Sequence, residues 1–375
     1  MDYDLKRPLN ALFSAGNQFG KYADVSSELI CGNLERGIPK YTIVIPTFRR
    51  PEQLMEAVES AINQTFGSSR YEILIVENES DLYSLSGVKI KQLHAENLFY
   101  YQNAKNLGAG GNWNRGFELA RTEWVCMLHD DDILYPHALE SICATLEKVD
   151  QAKTAAISPA FDYAHQMDGE WVCDKPKATQ HFWWKPLQNR LTRRSLLRLQ
   201  LSLRDDPVAP TCGATFNRQI VVDMGGFPDQ YKSDDMFFVY SLSICHYCYT
   251  TKEVWGQYRW GLNDSMNEAT KAEWLRESII TDDYFLKFPQ KGILPFIDRW
   301  FRRRLRFFIC VKPCIEQVDI GFRDHFVTKY CPEWKDYKLR NIDKAMFRMR
   351  SIMANCYNLF ITFLSQKGGN YVKNR

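Results

Sequence analysis

Three continuous apolar runs constrain this chain most: Tyr41-Thr-Ile-Val-Ile-Pro46, Glu72-Ile-Leu-Ile-Val76 and Trp124-Val-Cys-Met-Leu128, each ending abruptly in polar residues. A strand with one wet face alternates apolar and polar residues, whereas a continuous run reads as a strand covered on both sides. Helical spacing fills the intervals. Leu54, Ala57, Val58, Ala61 and Ile62 recur at three and four residues behind Pro51, a residue suited to a first helical turn. Phe99 to Gln102 reads as a short strand, Asn106 to Asn112 as a glycine-rich loop leading into a short helix through Ala120, and Pro136 to Val149 as a helix on Leu139, Ile142, Cys143 and Leu146. Repeated strand–helix units with polar groups at the strands' carboxyl ends give an α/β, Rossmann-like half, the arrangement that builds a site at those ends.

The second half is less regular. Helices are expected over Leu191 to Leu203, up to Met224 and over Asp234 to Cys245, with strands at Cys212 to Phe216 and Glu253 to Trp260. At 375 residues the chain suits one large unit with an appended region. The divisions are an N-terminal arm over 1–39, a catalytic unit over 40–265 with halves at 40–150 and 151–265, and a helical, basic region over 266–375.

A net charge of +3 is too small for a nucleic-acid partner. The first thirty residues lack a basic segment followed by an apolar run, so no signal peptide is expected, and no stretch reaches the roughly 18 apolar residues of a spanning helix. A cytoplasmic protein, able to lie peripherally on the inner face of the cell membrane, is the expectation. Eleven scattered cysteines then read as reduced thiols. Cys245 and Cys248 fall in the apolar run Met236 to Tyr249 and read as core thiols, not as half of a zinc site with Cys310 and Cys314.

The chemistry is concentrated at Asp130, Asp131 and Asp132, three adjacent carboxylates at the end of a buried strand. Side by side they repel by several kcal/mol at low effective dielectric unless a positive charge sits among them. Hard oxygen donors suit Mg²⁺ or Mn²⁺, ions that keep open positions for substrate phosphates. Capping the helix that carries Leu139 would account for one of the three, Asp132, but not for all.

Val44-Ile-Pro-Thr-Phe-Arg-Arg50, Ile73-Leu-Ile-Val-Glu-Asn-Glu-Ser-Asp81, Asn106-Leu-Gly108 and Leu128-His-Asp-Asp-Asp132 together resemble the ordered motifs of family-2 glycosyltransferases of bacterial surface-polysaccharide type, over about residues 40 to 262. The resemblance implies a GT-A fold: a Rossmann-like nucleotide-sugar-binding unit with a mixed central sheet, here followed by a C-terminal helical region. It implies that Pro46, Thr47 and Arg49 hold the nucleotide, with Arg49 on the diphosphate or base. It places Glu77 on the uracil ring where the family mostly has Asp, and Asn78 where a second Asp is common. Asn106, Gly108, Gly110 and Gly111 would let backbone approach the donor. The family's Asp-X-Asp pair falls on His129 and Asp131, making Asp131 the metal ligand, with Asp130 beside it as a second ligand or a ribose contact and His129 a polar contact. Trp113 stands near the place of a family arginine.

Gly213-Ala-Thr-Phe-Asn-Arg218, Met224-Gly-Gly-Phe227 and Ser233-Asp-Asp-Met236 resemble the family's acceptor segment. By that resemblance Asp235 is the catalytic base and Asp234 replaces a glutamate; Ser233 and both acids also make a good helix start. Gly261, in Tyr258 to Ser265, stands where a histidine often adds a metal ligand. The implied reaction is metal-dependent, inverting transfer from a nucleotide-sugar, UDP-hexose in the first instance, to a hydroxyl of a glycan or lipid-diphosphate-linked acceptor in O-antigen, capsule or other lipopolysaccharide synthesis. Arg299-Trp-Phe-Arg-Arg-Arg-Leu-Arg-Phe-Phe308 suits an anionic membrane surface, with a solvated basic helix as the competing account, and Arg190 to Arg204 suits a lipid diphosphate. Two other classes stay open. A sugar-nucleotide nucleotidyltransferase would show a glycine-rich basic loop after the first strand, where Pro46 to Arg50 stands; a noncatalytic glycan-binding scaffold would lose acids that are present here.

Overall fold

A computed structural model of the chain describes residues 16–78, 85–173, 192–194, 211–229, 234–260 and 270–275, together with isolated helical positions from 277 to 352. The strands are β1 (Ser27–Cys31), β2 (Tyr41–Thr47), β3 (Tyr71–Glu77), β4 (Leu98–Asn103), β5 (Trp124–Met127), β6 (Ile133–Leu134), β7 (Thr154–Met167), β8 (Glu170–Cys173), β9 (Thr192–Arg194), β10 (Thr215–Asn217) and β11 (Tyr247–Trp260). The helices are α1 (Pro51–Ile62), α2 (Leu85–Lys91), α3 (Gly108–Leu119), α4 (Ala138–Leu146), α5 (Arg218–Asp223) and α6 (Asp234–Cys245).

All the strands join one mixed sheet, in the order β1-β4-β3-β2-β5-β10-β7-β11-β6, with β8 on β7 and β9 on β11. β2 runs parallel to both β3 and β5. From β2 the chain therefore winds outward through β3 and β4, then returns to place β5 on β2's other side. That reversal opens a crevice beyond the carboxyl ends of β2 and β5, where open α/β sheets bind ligands.

The continuous apolar runs are buried on both faces, as their pattern predicts: every residue of β2 and β3 is buried. Ile43, Ile45, Ile73 and Ile75 pack with Leu54, Ala57, Val58 and Ala61 of α1 and Leu139, Ile142 and Leu146 of α4. Val44, Leu74 and Val76 face the other layer, with Phe117 of α3, Phe216, Phe227 and Phe238. Each such buried side chain stabilises by roughly 1.5–3 kcal/mol, so the strand ends carrying polar residues rest on a rigid two-sided core. Gly116 lets α3 close on the sheet, since a Cβ there would collide with Val44.

Four expectations change. Residues 27–31 of the N-terminal arm form an edge strand, antiparallel to β4. Residues 192–194 are a strand paired with β11, not part of a helix, and the rest of 191–203 lies outside the described residues. Cys212 to Ala214 form a turn, and the strand expected there is Thr215–Asn217. The long β7 has no counterpart in the sequence reading: its start, Thr154-Ala-Ala-Ile-Ser-Pro-Ala160, is small residues and a proline, and its place between β10 and β11 makes it a strand. Among the described residues no helix is long and apolar enough to cross a membrane. Residues 299–308, the basic stretch 190–204 apart from β9, and residues 261–265 with Gly261 lie outside the described residues.

Candidate active site

The crevice is floored by the ends of β2, β3 and β5. Thr47, the last residue of β2, donates its hydroxyl hydrogen to Asp130 Oδ2 at 2.8 Å. Beyond it Arg49 takes a left-handed φ of 57° and lays its guanidinium over the Phe48 ring, 5.0 Å from the centroid. Arg50, immediately before α1, turns to the acids instead: its Nη1 lies 3.3 Å from Asp130 Oδ1 and 3.0 Å from Asp131 Oδ2. A cation of the kind the three adjacent carboxylates require is thus supplied within the chain by Arg50, the second of two adjacent arginines.

The three acids have different surroundings. Asp130 is buried, which raises its pKa, while Arg50 and the Thr47 hydroxyl oppose the rise. Burial, then the charges of Asp132 and Asp130, push the Asp131 carboxyl up to about 6 against the pull of His129 and Arg50. Asp132 is wholly inaccessible and accepts the backbone N–H of Arg259 in β11 at 2.8 Å. It does not cap α4, whose N-terminal flank is His137; instead it ties the strand tip to the far half of the sheet. His129 stacks on Trp113 with ring centroids 5.2 Å apart, and its Nε2 lies 3.2 Å from Thr211 Oγ1, so it is the polar contact its place beside the acids suggests. Burial lowers the His129 pKa, but the hydrogen bond and charge of Asp132, with Asp131 and Asp235, raise it further, for a net rise.

A buried amide network holds the floor on the donor side. Asn78, directly after β3, donates to Asn106 Oδ1 and to the Gly108 carbonyl, and its own Oδ1 accepts from Asn103 and from the Leu107 N–H. Asn112 donates to the Val76 carbonyl at 2.9 Å and accepts from Asn103 at 2.8 Å. Asn78 and Asn106 therefore position the chain between β3 and α3. Glu77 is fully buried at the end of β3, at the same level of the sheet as Thr47. The glycine-rich segment is not a loop over the crevice. Gly108 has φ 75° and opens α3, Gly110 and Gly111 lie within that helix, and a Cβ at Gly111 would strike Tyr22 and Leu107. These glycines serve the turn and the packing of the N-terminal segment on α3.

The other half meets the first through α3. Asn114 donates to the Phe227 carbonyl at 2.8 Å and accepts the Phe227 N–H at 2.7 Å. Gly225 and Gly226, with φ 87° and 78°, make the turn that permits this, and a Cβ on Gly226 would run into the Asn114 amide oxygen. Trp113 meets Phe227 edge-on at 5.3 Å while stacking on His129, so one side chain links the two halves of the crevice. Asp235, half-buried in the first turn of α6, is near enough that its charge raises the His129 pKa. The fold thus brings Thr47, Asp130, Asp131 and His129 together at the carboxyl ends of β2 and β5, with Asp235 close enough for its charge to act on His129. The side chain of Asp234, and Ser233, lie outside the described residues. Cys248 is a buried core thiol. Arg50, Thr211, Cys212 and Arg259 were not selectable from sequence, because each acquires its partner only through the folded sheet.

Residues 42–222 match the family described as Glycosyl transferase family 2. Over these residues, just under half of the chain, it is similar to glycosyl transferase family 2. Relatives include the poly(ribitol-phosphate) beta-N-acetylglucosaminyltransferase TarP of Staphylococcus aureus, 32% identical over 104 residues, 28% of this chain and 32% of TarP. Another is the GalNAc(5)-diNAcBac-PP-undecaprenol beta-1,3-glucosyltransferase of Campylobacter jejuni, 35% identical over 107 residues, 28% of this chain and 34% of the relative. The chain spans about a third of the length of these curated relatives. Among solved structures, S. aureus TarS residues 1–349 in complex with UDP-GlcNAc superposes with a TM-score of 0.54 at 14% identity, covering 84% of this chain and 89% of that one. At that identity the likeness is one of fold, and the fold is GT-A.

Proposed function

We propose that the chain transfers a sugar from a nucleotide-sugar, UDP-hexose in the first instance, to a hydroxyl of a glycan or lipid-linked acceptor during bacterial surface-polysaccharide synthesis. What supports this reading is the placement of Asp130 and Asp131, paired with Arg50, at the sheet's reversal point inside the segment that matches family 2, with the charge of Asp235 acting on neighbouring His129. The solved relative of the same fold holds UDP-GlcNAc, and the Campylobacter relative's name specifies an undecaprenol-linked acceptor.

The donor set at the strand tip fits a divalent cation: buried carboxylate oxygens, with the Asp131 carboxyl pushed up to about 6 by burial and then by the charges of Asp132 and Asp130, where added positive charge is favourable. Asp131, with Asp130, would hold Mg²⁺ or Mn²⁺, which when bound offsets charge on the departing diphosphate. The chain's own groups do the rest. Arg50 supplies a fixed guanidinium beside the acids and is a fork suited to the diphosphate oxygens. Thr47 fixes Asp130. Asp235 accepts the proton of the acceptor hydroxyl as its oxygen attacks the anomeric carbon and the bond from that carbon to the diphosphate breaks. Attack from the face opposite the leaving group inverts the anomeric centre. Glu77, fully buried at the end of β3, is the acceptor for the base's ring N–H.

Incubation of the purified chain with Mn²⁺ and a panel of nucleotide-sugars tests the reading: slow hydrolysis of one donor supports it, and turnover of a sugar 1-phosphate with a nucleoside triphosphate would replace it with nucleotidyl transfer. We also propose peripheral contact of residues 299–308 with the inner face of the cell membrane, on the strength of five arginines among four aromatics. Failure to sediment with anionic vesicles at low salt would refute that contact.

A further inference from the structure

Three side chains of different chemistry converge, two of them next to Asp130 and Asp131 in the chain. His129, Asp132 and Cys212 each bring one ligand atom to a common point, and these atoms all lie within 4.8 Å of one another. His129 Nδ1 and Asp132 Oδ2 are 3.5 Å apart. Tetrahedral zinc with nitrogen and oxygen ligands at about 2.05 Å and sulfur at about 2.3 Å sets its ligand atoms roughly 3.4–3.6 Å apart, so small side-chain adjustments complete the geometry.

The remaining valences of these residues are already directed elsewhere. His129 Nε2 lies on the Thr211 hydroxyl at 3.2 Å, which orients the ring with Nδ1 inward. Asp132 Oδ1 accepts from the Arg259 N–H at 2.8 Å, leaving the fully buried Oδ2 to face His129, 3.5 Å from its Nδ1, and Cys212. A ligating histidine with its second nitrogen engaged, and a ligating carboxylate with its second oxygen engaged, are the outer-shell pattern of metal sites. Cys212 is brought here by the turn at Gly213, whose φ is 66° and whose N–H reaches the Met127 carbonyl. Its sulfur is inaccessible, which removes the chain's other use for a thiol, a surface nucleophile.

We propose that His129 Nδ1, Asp132 Oδ2 and Cys212 Sγ form a site for a thiophilic divalent cation, with zinc the ion its donors favour. Sulfur, nitrogen and oxygen together suit zinc, whereas Mg²⁺ and Mn²⁺ go to the oxygen-only position at Asp130 and Asp131. On uptake the Cys212 thiol, held protonated in the free chain by burial and by the charge of Asp132, releases its proton to solvent; His129 binds as neutral imidazole. Two anionic ligands and one dication leave the buried site neutral. Three protein ligands leave a fourth position, on the partly exposed His129 side, where the crevice lies. The proposal stands apart from sugar transfer, since it concerns binding alone.

Titration of the full-length, metal-free protein with Co²⁺ in excess Mg²⁺ tests it, Co²⁺ reporting thiolate ligation by its sulfur-to-cobalt charge-transfer band. The band should saturate at one equivalent and vanish on adding one equivalent of Zn²⁺. Cys212→Ser should lack it. His129→Gln, at a partly exposed position that tolerates change if Cys212→Ser misfolds, should weaken Co²⁺ binding at least about tenfold, as loss of even an outer-shell partner does. Asp131→Asn should keep the band. No band in the unaltered chain, an equal band in folded Cys212→Ser, full affinity in His129→Gln, or loss of the band in Asp131→Asn would each overturn the assignment.

Discussion

Replacing Asp131 with asparagine should make the protein more stable while removing its proposed activity, and the size of the gain follows from the site's charge. In the free chain burial and the neighbouring Asp132 and Asp130 push the Asp131 carboxyl from 3.8 up to about 6. A rise of about 2 units, at about 1.4 kcal/mol each, means that the ionised carboxylate destabilises the fold by about 3 kcal/mol. The side chain is 5% exposed, so solvent screening does little to reduce this. The sign is that of an acid raised in the folded state: the penalty is absent below pH 3.8, grows through the interval to about 6, and is complete above it. Asparagine approximates the protonated acid in shape, but its amide N–H groups oppose Arg50, so a net gain of about 1–2 kcal/mol is expected at pH 8, falling to about zero at pH 5, where the carboxylate penalty is about half as large and the Arg50 opposition is unchanged. Urea unfolding of the unaltered and substituted chains, in chelator at both pH values, measures it. A substituted chain less stable at pH 8, or a difference that does not change with pH, would refute the electrostatic account of the strand tip. In the same protein, sugar transfer with Mn²⁺ should fall by at least roughly a hundredfold.

Other parts of the site give their own outcomes. Asp235→Asn should lower turnover at least roughly a hundredfold with donor affinity and circular dichroism unchanged; near-normal turnover would remove Asp235 from the base role. Gly226→Ala forces a left-handed alanine, about 1–2 kcal/mol, and displaces the Asn114 amide from its two Phe227 hydrogen bonds, about 1 kcal/mol more. A loss of roughly 3 kcal/mol in chemical unfolding is expected, and an unchanged midpoint would mean that the turn can relax without Asn114.

The parallel core was legible because its strands are buried on both faces, and continuous runs such as Tyr41 to Pro46 have no other comfortable place. Helix α6 was legible to the residue, Asp234 to Cys245, since an acidic start and a long apolar run agree. What escaped depends on contacts distant in sequence. β7 carries a weak local signal and is a strand only because β10 and β11 flank it. Asp132 looks like a helix cap until β11 delivers the Arg259 N–H to it, 127 residues away. The glycines at 108, 110 and 111 look like a substrate loop because nothing local reveals that Tyr22 lies against α3. Spacing alone does not single out Arg50; the folded strand tip does, by bringing its guanidinium to Asp130 and Asp131.

Calorimetric titration of the preferred nucleotide-sugar into the purified chain, once with Mn²⁺ and once with a chelator, bears most directly on the claim that acids at the sheet's reversal point recruit a cation to bind a diphosphate. Strong heats with the ion and loss of binding without it are the predicted pair. Equal affinity in both cells, accompanied by undiminished sugar transfer, would contradict it.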